Sequence, residues 1–180
     1  MYLLGISGKR AAGKDTLFNN LFKAPLRIQR VGFADAFKDV LNLMFRIPRE
    51  QLYGDDTAKE AKVPAGTMTV RDACKLLGEV GNKIEPGIWT RLALDTAYSR
   101  PGCHMCVITD VRRPEEAQAI RSRGGKVIRL LRAPVPDSHE TETAMDDYTG
   151  FDYIIDNRHR SAEWTYETAK IVLESWGWQC

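Results

Sequence analysis

Residues 2–16, Tyr-Leu-Leu-Gly-Ile-Ser-Gly-Lys-Arg-Ala-Ala-Gly-Lys-Asp-Thr, constrain the fold more than any other stretch of the chain. The apolar run from Tyr2 to Ile6 is long enough for one buried strand. Gly8-x-x-x-x-Gly13-Lys14 follows at the spacing of a P-loop. Small residues there let successive backbone N–H groups turn inward around phosphate oxygens. Lys14 then reaches the β- and γ-phosphates as a point charge. Thr16-Leu-Phe-Asn-Asn-Leu-Phe reads as a helix whose positive end faces the same anion. The pattern ordinarily places Ser or Thr after the lysine, to put a hydroxyl on Mg²⁺. Here Asp15 holds that slot and Thr16 follows. A carboxylate is a hard, charged oxygen ligand, so Asp15 is expected at the metal, directly or through water, with Thr16 beside it. Lys9 and Arg10 add two cations inside the loop, where a transferring phosphoryl group would pass.

The rest of the chain alternates strand and helix patterns, which predicts a parallel sheet with helices on both faces. Five strands are expected, over 2–7, 28–33, 105–109, 126–131 and 152–156. Helices are expected over 14–23, 35–46, 70–81, 87–99, 114–123 and 161–175. Ala24-Pro25 ends the first of these. Asp35 is a candidate cap for the second, with Phe37, Val40, Leu41 and Met44 on its inward face. Thr69 caps the third, with Val70, Ala73, Leu76 and Leu77 inward. Residues 54–68 carry no period and read as a loop. Residues 133–150 are polar and irregular, with two prolines and an acidic run, and read as a lid whose acidic side chains are solvated. Trp176 and Trp178 are expected to pack the last helix.

One domain is expected over 1–180, with an acceptor-binding region at about 35–100 and the lid at about 133–150. A chain of 180 residues can bury a sizeable core. Its net charge of +2 is too small to argue for nucleic-acid binding. No apolar run approaches the ~20 residues of a membrane span. The five-residue apolar start leads straight into the loop and is not a secretion signal, so a cytoplasmic setting is expected. The four cysteines are Cys74, Cys103, Cys106 and Cys180. Cys103-His104-Met105-Cys106 lacks a second ligand pair for zinc and runs into an apolar strand, so buried, reduced thiols are expected.

In an open parallel sheet, ligands gather outside the carboxyl ends of the strands. The P-loop, Asp35, Asp110 to Arg113, Arg132 and Asn157 all fall at such ends. Asp110 closes the apolar strand Val107-Ile108-Thr109, the place of a Walker-B carboxylate, and is alternatively an N-cap for the helix after it. Lys9, Arg10, Lys14, Lys38, Arg71, Arg91, Arg112, Arg113 and Arg132 supply the positive charge that phosphoryl transfer needs.

Gly8 to Thr16, Phe33-Ala34-Asp35-Ala36-Phe37-Lys38, Thr69-Val70-Arg71-Asp72-Ala73 and Leu76-Leu77-Gly78 resemble the bacteriophage-type deoxynucleoside monophosphate kinases. So do Ile108-Thr109-Asp110-Val111-Arg112, Glu115-Glu116-Ala117, Ile120 to Gly125, Val127-Ile128-Arg129-Leu130-Leu131-Arg132, Asp137-Ser138-His139 with Glu142, and Asp152 to Asn157. The resemblance implies a P-loop NTPase fold of the nucleoside-monophosphate-kinase type. It implies transfer of the γ-phosphate of ATP to a deoxynucleoside 5′-monophosphate with Mg²⁺, in the supply of dNTPs for DNA synthesis. It places Gly8, Lys9, Arg10, Ala11, Ala12, Gly13, Lys14, Asp15 and Thr16 on ATP, with Arg132 at the lid border and Asn157 at the adenine. Lys14, Asp15, Asp110, Arg112 and Arg113 would form the catalytic centre. Asp35, Lys38 and Arg71 would face the acceptor, joined by Arg91 and by Trp89 as a base-stacking platform. The chain departs from the family at Val80-Gly81-Asn82-Lys83 and at Arg158-His159-Arg160. The implied partners are small nucleotides, without nucleic acid or membrane, for a monomer or homodimer in the cytoplasm (the host's, if phage-encoded).

Two other readings remain open at this stage. One is a P-loop kinase of another small phosphate acceptor, since phosphomevalonate and dephospho-coenzyme-A kinases share a related loop and arginine arrangement. The other is a nucleotide-binding switch with little transfer activity.

Overall fold

The chain threads its apolar strands into one parallel sheet and inserts a helical excursion between the second strand and the third. The computed structural model describes residues 1–22, 27–99, 101–132 and 144–178. The strands are β1 (Tyr2–Ser7), β2 (Ile28–Arg30), β3 (Met105–Val111), β4 (Lys126–Leu131) and β5 (Tyr153–Asp156). The helices are α1 (Lys14–Leu21), α2 (Asp35–Phe45), α3 (Arg49–Tyr53), α4 (Asp56–Lys59), α5 (Val70–Ile84), α6 (Ile88–Tyr98), α7 (Pro114–Ser122) and α8 (Ala162–Ser175). Sheet order is β2-β3-β1-β4-β5, and every pairing is parallel. The expected five-stranded α/β architecture is therefore the observed one.

Strands covered on both faces read as near-continuous apolar runs, as β1 and the Met105–Ile108 part of β3 do, while β4 is interrupted by Arg129. On one face, Leu17 and Leu21 of α1 and Ala169, Val172 and Leu173 of α8 close over Leu4, Ile6, Val107, Ile128, Leu130 and Ile155. Each of these Leu, Ile and Val side chains contributes about 1.5–3 kcal/mol on burial. α7 covers the other face, where Gly5 makes room for Ile120: a Cβ there would lie 2.7 Å from Ile120 Cδ1. Trp178 stacks on Tyr2 at 4.8 Å and meets Trp176 edge-on, anchoring the end of the chain as expected.

Two compact units are distinguished, one from Met1–Gly32 with Thr96–Cys180, the other Phe33–Asp95. The first holds the sheet. The second is helical, with its own core of Leu41, Ile47, Leu52, Val70 and Ala73, against which Phe37, Val63, Cys74 and Leu77 pack.

Several expected details are corrected in the second unit. Asp35 is not the cap of α2: Ala34 takes that place without a side-chain bond, and Asp35 opens the first turn. Met44 is 66% exposed, because the helix stops at Phe45 and a left-handed Arg46 swings Ile47 into the core instead. Leu76 is half exposed, because α5 turns Val70, Ala73 and Leu77 inward. The expected loop at 54–68 contains α4, capped by the Asp55 carboxylate accepting from the Ala58 N–H at 2.9 Å. Thr69 caps α5 as expected, through the Asp72 N–H. β2 is also shorter than expected. The chain leaves the sheet after the Val31 N–H bonds the Val107 carbonyl. Pro25 and most of the segment expected to form a lid, 133–143, lie outside the described residues. Among the described residues no helix is long and apolar enough to cross a membrane.

Candidate active site

The loop after β1 has the backbone its glycines imply. A Cβ at Gly8 would lie 3.0 Å from both the Leu130 carbonyl and Ala12 Cβ, so the close approach to β4 requires glycine. Gly13 sits at φ 93°, in the left-handed region that glycine alone enters without strain, and delivers the chain directly into α1. Gly13 begins this helix through its backbone alone, with no side-chain bond at the cap, and a helix start of this kind suits an anion. Lys14 folds back over the loop, its Nζ donating to the carbonyls of Gly8 (2.6 Å) and Lys9 (2.8 Å).

Strand register brings the other sheet-edge residues to this loop. Ser7 pairs with Val111, so Asp110, Arg112 and Arg113 leave β3 beside the start of the P-loop. Leu131 pairs with Asp156, so Arg132 and Asn157 leave β4 and β5 side by side on the opposite flank. A Cβ built on Gly13 would lie 3.7 Å from Arg132 Nη1 and 3.8 Å from Asn157 Nδ2. Asn157 is 2% exposed, and its Nδ2 donates to the Ala12 carbonyl at 3.1 Å. It was expected at the adenine. In the structure it braces the loop from beneath, and its buried Oδ1 has no hydrogen-bond partner.

Asp15 projects from the first turn of α1, largely exposed, and pairs with Arg30 at 3.4 Å. Thr16 beside it is exposed. Mg²⁺ keeps several waters and takes one or two carboxylates together with substrate phosphates. Asp15, with Asp110 at the same sheet edge, supplies hard oxygen donors of that kind. The residues present therefore fit a phosphate-chelated Mg²⁺.

Asp110 is not a helix cap either. α7 starts at Pro114, with Arg113 at its N-cap position. Glu116 ties down that start: its Oε2 accepts from the backbone N–H groups of Arg112 (2.7 Å) and Arg113 (3.0 Å). Burial, with Asp110 close by, pushes the Glu116 carboxyl up to about 7 against the pull of those two N–H groups.

A second feature lies under the loop. Arg129, in the middle of β4, is 5% exposed. It donates to Ser7 Oγ (3.2 Å) and to Asp146 Oδ1 (2.9 Å), and stands over the Phe151 ring. The other oxygen of Asp146 accepts from Lys9 Nζ at 2.7 Å. The acidic run around Asp146 predicts a solvated face. The structure instead pairs Asp146 with two cations. The lone arginine inside the apolar run Val127 to Leu131 was the sequence signal for a buried partner. Nothing distinguished Asp146 from its acidic neighbours. His139, Glu140 and Glu142 lie outside the described residues.

In the second unit, Lys38 Nζ stands 4.2 Å over the Tyr53 ring. The Tyr53 hydroxyl hydrogen-bonds Asp35, and burial with the charges of Asp35 and Asp39 pushes it up to about 12. Tyr53 was not anticipated. Arg71 bonds Glu60 and Asp56, and Arg91 bonds Glu85, both held more firmly protonated by these carboxylates. Trp89, expected to stack on a base, is packed within this unit. Its Nε1 donates to the Gly78 carbonyl (2.8 Å), and its ring meets Phe37 edge-on and fills the space that Gly81 leaves.

At the departures noted in the sequence, Arg158 forks around Asp156 and holds that carboxyl down at about 2. Arg160 covers the Trp164 ring. Cys103 and Cys106 are buried thiols 3.4 Å apart, with Cys103 Sγ donating to the Met105 carbonyl.

No family model matches the chain. A protein of Acanthamoeba polyphaga mimivirus named "Putative deoxynucleotide monophosphate kinase" is 28% identical in an alignment of 194 positions, gaps included, that covers 96% of this chain and 96% of that protein. Among solved structures, shikimate kinase from Acinetobacter baumannii in complex with shikimate superposes with a TM-score of 0.50 at 14% identity, over 97% of this chain and 94% of its own. The chain thus has the fold of a P-loop kinase, and its resemblance to the deoxynucleoside monophosphate kinases is matched by a relative of that name along nearly its whole length.

Proposed function

We propose that the protein transfers the γ-phosphate of ATP to a deoxynucleoside 5′-monophosphate, giving the diphosphate and ADP. One observation carries this reading: Lys14 and the P-loop share one sheet edge with Asp110, Arg112, Arg113 and Arg132, brought there by the Ser7–Val111 and Leu131–Asp156 registers. The name of the mimiviral relative favours a deoxynucleotide as acceptor over the other small molecules considered.

An acceptor phosphate oxygen attacks the γ-phosphorus, and the bond to the β–γ bridging oxygen breaks, leaving ADP. The protein's task is to hold two anions together and to surround the moving group with fixed positive charge. The loop N–H groups and Lys14 hold the β- and γ-phosphates of the donor. Arg112 and Arg113 approach from the β3 side, Arg132 from the β4 side, and Lys9 and Arg10 from the loop. Asn157 keeps the loop in shape through Ala12. Asp15 and Thr16, with Asp110 in the Walker-B place, would hold Mg²⁺, which neutralises phosphate charge when bound. In the helical unit, Asp35, Lys38, Arg71 and Arg91 are the residues assigned to the acceptor. Nucleotide exchange on Arg71 or Arg91 would displace carboxylates they already bond.

The test is ADP release in a coupled assay with each of the four deoxynucleoside monophosphates, their ribonucleotide counterparts, phosphomevalonate, dephospho-coenzyme A and shikimate. Turnover stimulated by one or more deoxynucleotides is expected. Stimulation by a non-nucleotide acceptor alone overturns the assignment.

A further inference from the structure

Lys9, Asp146 and Arg129 form a chain of three charges running from the mouth of the P-loop into the sheet. An exposed lysine–carboxylate pair by itself has little hold on its partners. This pair is different, because the carboxylate is fixed from behind. Arg129 is 5% exposed, donates to Ser7 Oγ at the end of β1 and to Asp146 Oδ1, and is backed by the Phe151 ring. Met145, next to Asp146, is buried, and Tyr148 packs edge-on to Phe151. Asp146 is therefore held on both sides, and its second oxygen sets where the Lys9 ammonium stands.

The charges also have a consequence for an anionic ligand. A carboxylate alone at this place would cancel Lys9 and repel phosphate. With Arg129 behind it the trio carries a net +1, so Lys9 keeps its pull on an anion while losing its freedom. An ammonium has three donors, and Asp146 occupies one of them.

We propose that Asp146, backed by Arg129, is a positioning residue that holds Lys9 over the phosphate loop for the donor nucleotide. This rests on the proposed kinase reading for its catalytic consequence, although not for its effect on nucleotide binding. Asp146 acts through Lys9, and the two behave as one unit. Asp146→Asn keeps the shape of the side chain and removes the charge that orders the lysine.

The experiment is a double-mutant cycle of Asp146→Asn and Lys9→Met. Affinity for ATP and ADP is measured by titration calorimetry, kcat and KM by ADP release, and folding by thermal melting. Each single variant is expected to weaken ATP binding about five- to tenfold, and the double variant to be no weaker than the worse single. Asp146→Glu is expected to recover part of the loss. Losses that multiply in the double variant overturn the proposal, because Asp146 then acts without Lys9. Tighter ATP binding by Asp146→Asn also overturns it, since the carboxylate then competes with phosphate. A lowered melting temperature with unchanged affinity at a temperature where the variant is folded assigns Asp146 to structure alone, and overturns it too. If the wild-type protein binds ATP but phosphorylates no acceptor, the kinase reading fails while the calorimetric cycle still decides this proposal.

Discussion

Replacing Glu116 by Gln should change how stability depends on pH, and the structure gives both sign and size. Glu116 Oε2 accepts two backbone N–H groups at the start of α7, yet burial and the nearby Asp110 outweigh them and raise its carboxyl from 4.5 to about 7. Between these values the unfolded chain has released the proton while the folded chain retains it. The unfolded state then binds fewer protons, so wild-type stability falls as pH rises through this window. A pKa difference of this size corresponds to about 3 kcal/mol. Gln keeps an oxygen for the same two N–H groups and carries no titrating charge. The two proteins should therefore be of similar stability near pH 4.5, and the Gln variant should gain on the wild type up to about pH 7. Above that the gap should stay constant at about 3 kcal/mol. Urea denaturation of both proteins at pH 4.5, 5.5, 6.5, 7.5 and 8.5 reads this difference, because every other titrating group is common to both. A gap that is flat across the series refutes the reasoning. A gap that grows in favour of the wild type would mean that the Arg112 and Arg113 N–H groups, and not burial, govern the carboxylate.

Other outcomes follow from the same geometry. Lys14→Ala removes the donor that spans the Gly8 and Lys9 carbonyls, and kcat should fall by about 10²–10³ in the ADP-release assay, the loss typical of one preorganised charge. Asp15→Asn should raise the Mg²⁺ concentration needed for half-maximal rate more than it changes ATP affinity, which a metal titration beside a binding titration separates. Gly81→Val would press a Cβ within 2.1 Å of the Trp89 ring, which its bond to Gly78 and its contact with Phe37 hold in place. It should destabilise the protein by about 1–3 kcal/mol in urea unfolding.

The parts of this fold that the sequence announces are those specified by local pattern. β1 falls where a continuous apolar run ends before Gly8, and β4 where an apolar run broken by Arg129 follows Gly124-Gly125. The loop between Gly8 and Lys14 is spelled out by spacing alone. α5 begins at Thr69 because the hydroxyl has one obvious N–H to accept from. What escaped notice depends on contacts between distant residues. Asp35 has the chemistry of an N-cap, but Tyr53 engages its carboxylate and Ala34 takes the cap. α3 and α4 are five and four residues long, too short to show a helical period. Trp89 has the shape of a stacking platform, and its packing against Gly81 depends on a missing Cβ that no local pattern ties to it. In the candidate site, Lys14 and Asp15 are legible from the motif. Asp110, Arg112 and Arg113 were legible as a strand end, but their nearness to the loop follows from β3 lying beside β1, a choice no local pattern dictates. The Lys9–Asp146–Arg129 chain was half legible: an arginine within an apolar strand demands a counter-charge, while its identity is settled by tertiary structure.

The fate of the γ-phosphate tests the proposed phosphoryl transfer most directly. ATP labelled at the γ-position is incubated with the protein and each deoxynucleoside monophosphate, and the products are separated. Label in the β-position of a deoxynucleoside diphosphate, dependent on that acceptor and abolished in Lys14→Ala, is the predicted result. Label recovered only as inorganic phosphate, at a rate no acceptor changes, would make the protein a nucleotide-hydrolysing switch and contradict the account.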